Sequence, residues 1–147
     1  MKKKLLIITG VIVALAVIGA GIGLYLFFKP TKDFAKSKAD FTVTAQQLFT
    51  EFSKNETASS AKYVSNDKTI ELTGIVQSVT DNSDSTKTII LAVGTPDGDI
   101  SCTLTKEQSA TAKITENKTI TLKGQCTGLQ ELIAKEVILI RCAIAQE

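Results

Sequence analysis

The sequence predicts a mostly-β fold: a small closed barrel of five strands set behind one membrane-spanning helix. Three observations predict it. An uncharged run, Leu5–Phe28, follows three lysines at the start of the chain. Beyond it come short alternating apolar runs, separated by clusters of Gly, Asn, Asp, Ser and Pro. The pattern Lys-Thr-Ile-x-Leu-x-Gly then occurs twice, at Lys68–Gly74 and at Lys118–Gly124. Each copy reads as a strand with one apolar face that ends on a glycine.

The uncharged run holds 24 residues and is closed by Lys29-Pro30. A helix needs about 20 residues to cross a bilayer, whereas the apolar core of a cleaved signal peptide has about 7–15. Length therefore favours an uncleaved signal anchor over residues 1–29. The rival is secretion after cleavage at Ala20, two positions after Ile18. Lys2, Lys3 and Lys4 should stay cytoplasmic, which sends the rest of the chain outward, as a single-pass protein of the inner membrane with a periplasmic or extracellular domain. Tyr25, Phe27 and Phe28 fall where an outer aromatic belt would lie. Gly19 and Gly23 have a spacing that lets membrane helices approach, though glycine is common in such helices in any case.

Charge and composition exclude several functions. Of 17 basic residues, four lie in residues 1–30, leaving 13 against 15 acidic residues in the remainder. That part is net acidic, unlike a surface built for phosphates. Histidine is absent from all 147 residues. The commonest general base and metal ligand are thereby missing, with every Ser-His or Cys-His arrangement. The domain size, roughly 100 residues, suits one core.

Residues 30–41 read as a polar linker, and 42–147 as the folded domain. Thr44 with Gln47 fits a capping box, and Val43 with Leu48 a hydrophobic staple. A helix is predicted from Thr44 to about Asn55, with Leu48, Phe49 and Phe52 as its buried stripe. Ala58, Ala61 and Tyr63 then lead into the sheet. Strand one covers about Thr69–Val79, with Ile70 and Leu72 inward and a change of phase at Gly74, read as a bend or bulge. Asp81–Ser85 is a turn; it lacks the glycine and glutamate spacing of a calcium loop. Strand two follows over about Thr86–Val93. After the turn Gly94–Gly98, strand three carries Ile100, Cys102 and Leu104 inward. A short helix is expected over Lys106–Lys113. Strand four holds Ile120, Leu122 and Cys126 inward, with Gly124 as a second structural glycine. Gly128–Glu131 reads as a turn, and strand five as Ile133–Ile144 with Ile138, Ile140, Cys142 and Ile144 on one face.

Five strands with a helix between the third and fourth suit a Greek-key barrel of the OB type, in which the first and fourth strands close the barrel. A capped helix, Asn55-Glu56, Lys62-Tyr63, Ile70-x-Leu72-x-Gly74-x-Val76, Ile100-x-Cys102-x-Leu104, Ile120-x-Leu122-x-Gly124 and a late Cys142 come in the order of a known family. Over about residues 42–146 the chain resembles the tRNA-anti-like OB-fold family of exported or membrane-anchored bacterial proteins. The resemblance implies the fold and the exported location, with no settled activity.

No catalytic or metal-ligating set emerges. Asp97 and Asp99 lie in a turn, where solvation accounts for them, and Gly94–Gly98 lacks the lysine and following helix of a phosphate loop. No cofactor is implied. Three inward cysteines allow three pairings; OB topology makes strands three and five neighbours and favours Cys102–Cys142, with Cys126 free. Single-strand nucleic-acid binders stack bases on aromatic side chains, and none follows Tyr63. The reading is therefore a tethered, non-catalytic binding or protein-interaction module. Its partners are the membrane, through the N-terminal helix, and an envelope protein or a small ligand. Nucleic acid is disfavoured and stands as the alternative. By analogy of fold, binding would involve Asp81–Ser85, the outward residues of 86–104 and Gly128–Glu131.

Overall fold

The computed structural model describes residues 2–28, 32–65 and 67–145. The expected anchor boundary at Lys29-Pro30 lies outside them. The chain forms two compact units that divide at Thr31/Lys32.

The first unit is one helix, α1 (Lys2–Phe28). Its segment Ile7–Phe28 is long and apolar enough to cross a membrane. At 1.5 Å per residue those 22 residues span about 33 Å, close to the hydrocarbon thickness. The helix has no polar stripe, unlike a helix that must face a core on one side and water on the other.

The second unit contains β1 (Phe41–Thr44), α2 (Ala45–Lys54), α3 (Glu56–Tyr63), β2 (Ile70–Asp81), β3 (Lys87–Ala92), β4 (Gly98–Leu104), α4 (Lys106–Thr111), β5 (Thr119–Glu131) and β6 (Lys135–Ile144). The sheet runs β1-β2-β3-β4-β6-β5 and closes through β2–β5. β4 and β6 pair in parallel. The architecture is the expected OB barrel, with six strands in place of five. The additional strand, β1, pairs in parallel with the start of β2, Val43 opposite Leu72. Four residues before a helix cap carry too short an alternation to read from sequence.

The repeated heptads prove to be partners of each other. Ile70 lies opposite Gly124, Leu72 opposite Leu122 and Gly74 opposite Ile120. Pairing an Ile-x-Leu-x-Gly strand antiparallel to its copy sets each isoleucine against the other's glycine. Thr73 and Thr121 hydroxyls meet at 3.0 Å, and Lys123 Nζ lies 3.6 Å from Glu71. The repeat is thus the seam of the barrel.

Helix α2 starts as expected: Thr44 Oγ1 accepts from Gln47 N at 3.1 Å. The Gln47 amide, rather than closing a capping box, donates to Glu51. Leu48, Phe49 and Phe52 are buried in the barrel core. Asn55 then ends α2 and caps α3, its Oδ1 accepting from Ala58 N at 3.0 Å. The sequence reading missed α3, whose polar composition gives no apolar stripe. Glu51 joins the helices by accepting from Lys62 Nζ (3.0 Å) and Tyr63 OH (2.8 Å). Lys62 holds its carboxyl below the ordinary value.

Within the stretch read as a linker, residues 32–40 are folded against the sheet. Phe34 is 2% exposed. Asp40 accepts from Thr69 N at 2.7 Å, and Lys123 Nζ reaches Ser37 O at 3.4 Å.

Three local expectations are corrected. The inward parity of β2 runs unbroken through Ile70, Leu72 and Val76, leaving Ile75 exposed. The irregularity falls between Val76 and Ser78, and Gly74 instead permits close approach. A Cβ there would stand 2.9 Å from Ala45 Cβ and 3.2 Å from Leu91 Cδ1. Next, Gly128–Glu131 is strand, paired with Ile138–Lys135. Gly128, at φ 121°, absorbs a bulge. The turn is Leu132–Ala134, an apolar triplet with no turn residues. Finally, Val137 and Leu139 face inward, and Ile138 and Ile140 do not. Arg141, at φ 54°, is the extra residue of a bulge that returns Cys142 to the core.

Candidate binding surface

The outer face of β2, β3, β4 and β6 presents three rows set by strand register. They are Ile75–Ala92–Asp99–Glu136, Ser78–Ile90–Ser101–Ile138 and Thr80–Thr88–Thr103. Hydroxyls, short aliphatics and two carboxylates make up these three rows, which contain no ring and no cation; the exposed Arg141 follows them in the β6 bulge beside Thr103. The polar groups of the face bond to one another: Asn82 Nδ2 donates to Thr86 and Thr88 hydroxyls at 2.9 Å, and Thr88 and Thr103 hydroxyls lie 3.3 Å apart. The turn before β3 is organised by Asp84, whose Oδ1 accepts from the Thr86 hydroxyl at 2.6 Å and from Thr86 N at 3.1 Å. Those bonds hold Asp84 below the ordinary carboxylate value.

The aromatic side chains of the domain lie elsewhere. Phe34, Phe49, Phe52 and Tyr63 are buried. Phe41 is half-buried, edge-on to Tyr63, with Lys62 and Lys68 ammoniums 5.9 and 5.8 Å from its ring centre. No described ring of the domain stands free to stack on a base.

At the end of the barrel plugged by α2 there is a cavity of about 470 Å³ between α2, the β3–β4 loop and the β5–β6 turn. Phe49 forms its apolar wall, and Lys54, Asp97, Glu131 and Lys135 stand around it. Gly98 makes room for the ring: a Cβ there would come 2.6 Å from Phe49 Cε2. Lys135 N donates to Asp97 O at 3.2 Å, tying the two loops together. Leu132 and Ile133, at the tip of the β5–β6 turn, are 81% and 104% exposed. Sequence reading gave Asp97 and Glu131 no shared role, since they are 34 positions apart and meet only through the β4–β6 pairing.

The sequence-derived candidates separate clearly. Gly74 and Gly124 sit at the seam. A Cβ at Gly124 would be 2.6 Å from Cys142 Sγ, so this glycine makes space for the thiol. Cys102, Cys126 and Cys142 are buried free thiols. The Cys102 thiol is raised well above its ordinary value by its hydrogen bond with Cys142, and further by burial. Burial pushes Cys126 up to about 11. Cys102 and Cys142, the pair expected from topology, lie within hydrogen-bonding reach of each other and are not bonded as a disulfide. Asp97 and Asp99 part company, Asp97 at the cavity and Asp99 on the outer face. Among the described residues no group of three or more His, Cys, Asp or Glu could hold a metal.

Comparison with known structures shows the fold. A Klebsiella pneumoniae lipoprotein described as a candidate nucleic-acid binder matches with a TM-score of 0.57 and 16% identity, over 71% of this chain and 92% of its own. A candidate aspartyl-tRNA synthetase from Leishmania major Friedlin matches with a TM-score of 0.47 and 12% identity, over 90% of this chain and 26% of the synthetase. No curated protein matches the sequence. The model of the tRNA_anti-like family matches residues 1–144, and the chain belongs to that family.

Proposed function

We propose that this chain is a membrane-tethered, extracytoplasmic binding module with no catalytic step of its own. The observation that carries the reading is the chemistry of the outer β2–β3–β4–β6 face. Threonine and serine hydroxyls, Ile90 and Ile138, and the acidic pair Asp99 and Glu136 suit an uncharged or cationic polar partner. A phosphate backbone calls for clustered lysine and arginine, and base stacking for exposed rings. Neither is present on this face. The absence of histidine removes the usual proton shuttles, which supports binding without chemistry. The helix α1 supports tethering, and Lys2–Lys4 before it support an outward-facing domain.

The second reading, single-stranded nucleic acid, is favoured by the description of the Klebsiella lipoprotein. Fluorescence anisotropy with labelled single-stranded DNA and RNA at low salt separates the two. The expected result is no saturable binding. Micromolar affinity that falls steeply with salt would overturn the first reading.

A further inference from the structure

We propose that the cavity at the α2-plugged end of the barrel binds a short peptide with both termini free. The inference rests on the reading of this domain as a binding module and names a ligand class for it. The cavity, at about 470 Å³, has the size of a small-ligand site. Two ammoniums, Lys54 and Lys135, and two carboxylates, Asp97 and Glu131, line it together. Among the described residues, none of these four groups forms an ion pair or appears as a side-chain hydrogen-bonding partner. A site of one sign would select a phosphate or a polyamine. Both signs, unpaired and around one cavity, complement a zwitterion: a carboxylate for the lysines and an ammonium for the acids.

The apolar part of the site accounts for the rest of a peptide. Phe49 supplies a wall that is already buried, and Ile133 stands fully exposed at the rim. An exposed aliphatic side chain at a turn tip gains from any apolar group laid over it. The backbone bond from Lys135 to Asp97 ties together the two loops that carry three of these charges.

The test uses the full chain in nanodiscs, titrated calorimetrically with the tripeptide Ala-Leu-Ala. The same titration is run with the N-acetylated, the C-amidated and the doubly capped peptide. Saturable binding of the free peptide is expected. Capping either end should weaken it by about tenfold or more, as for loss of a charge-assisted contact. Lys54→Met and Asp97→Asn, both exposed, should each weaken it similarly with the unfolding midpoint unchanged. Equal affinity for free and doubly capped peptides would overturn the proposal, as would no saturable heat from a chain with a normal unfolding transition. Failure here, with no nucleic-acid binding, leaves the binding-module reading standing. Salt-sensitive nucleic-acid binding overturns that reading and leaves the peptide titration to be judged by itself.

Discussion

At the scale of single residues, the barrel depends on positions that its sequence pattern disguises. Arg141 adopts φ 54°, a region that costs a non-glycine residue about 1 kcal/mol or more. Its side chain is exposed, so packing does not demand an arginine. Arg141→Gly should raise the unfolding free energy by about 1 kcal/mol, and Arg141→Val should lower it, because a branched side chain fits that region worst. Chemical denaturation measures both; the opposite order would show that the bulge does not control stability. The Cys102–Cys142 contact makes a second prediction. In an oxidising compartment the two thiols should give up two protons and two electrons to an oxidised dithiol carrier and close one disulfide. Non-reducing mass spectrometry should find that bridge, with Cys126 alkylated only after unfolding. Three free thiols in protein isolated from membranes would contradict it.

At the scale of elements, close approach decides more than propensity does. Gly74→Val would drive a side chain into Ala45 and Leu91, between β2 and the start of α2. Overpacking of this kind costs about 1–3 kcal/mol. Thermal unfolding should shift down, and an unchanged midpoint would refute the contact. The α2–α3 junction carries a pH dependence. Lys62, with Tyr63 and Gln47, holds Glu51 below its ordinary value of 4.5. A carboxyl depressed in the folded state contributes stability above its unfolded pKa and loses it as pH falls through the folded pKa. Stability should therefore decline below about pH 4.5, and Glu51→Gln should flatten part of that decline. An identical pH profile for the variant would contradict the link.

The legible elements were those with long, regular alternation or a clear cap: β2 to β4, α2 and α4 could be read directly. Helix α3 was not legible, because Glu56–Tyr63 has no apolar stripe and is held by Asn55 and Glu51. The Leu132–Ala134 turn was displaced by four residues in the reading, because Gly128 looked like the turn residue when it was absorbing a bulge. Of the candidate site, Asp97 was visible only as a turn acid. Its grouping with Lys54, Glu131 and Lys135 depends on three segments that chain order does not bring together.

At the scale of the whole molecule, the chain combines one apolar helix with one closed barrel. If the lysines remain inside, protease added to spheroplasts of a bacterial host should digest the barrel, and protection of the barrel would reverse the assigned orientation. The sequence by itself determined the mostly-β class, the apolar helix, the absence of histidine chemistry and the pairing of the two repeated heptads as barrel neighbours. The first three follow from composition and from side-chain period, which act locally along the chain, and the pairing follows from the OB topology that the strand order suits. Tertiary structure alone decided the parity switch at Arg141, the purpose of Gly74 and Gly124 and the charged cavity beside Phe49. Each of these arises where separate strands approach within a few ångströms, and the register that brings them there is set by bulges with no periodic signal.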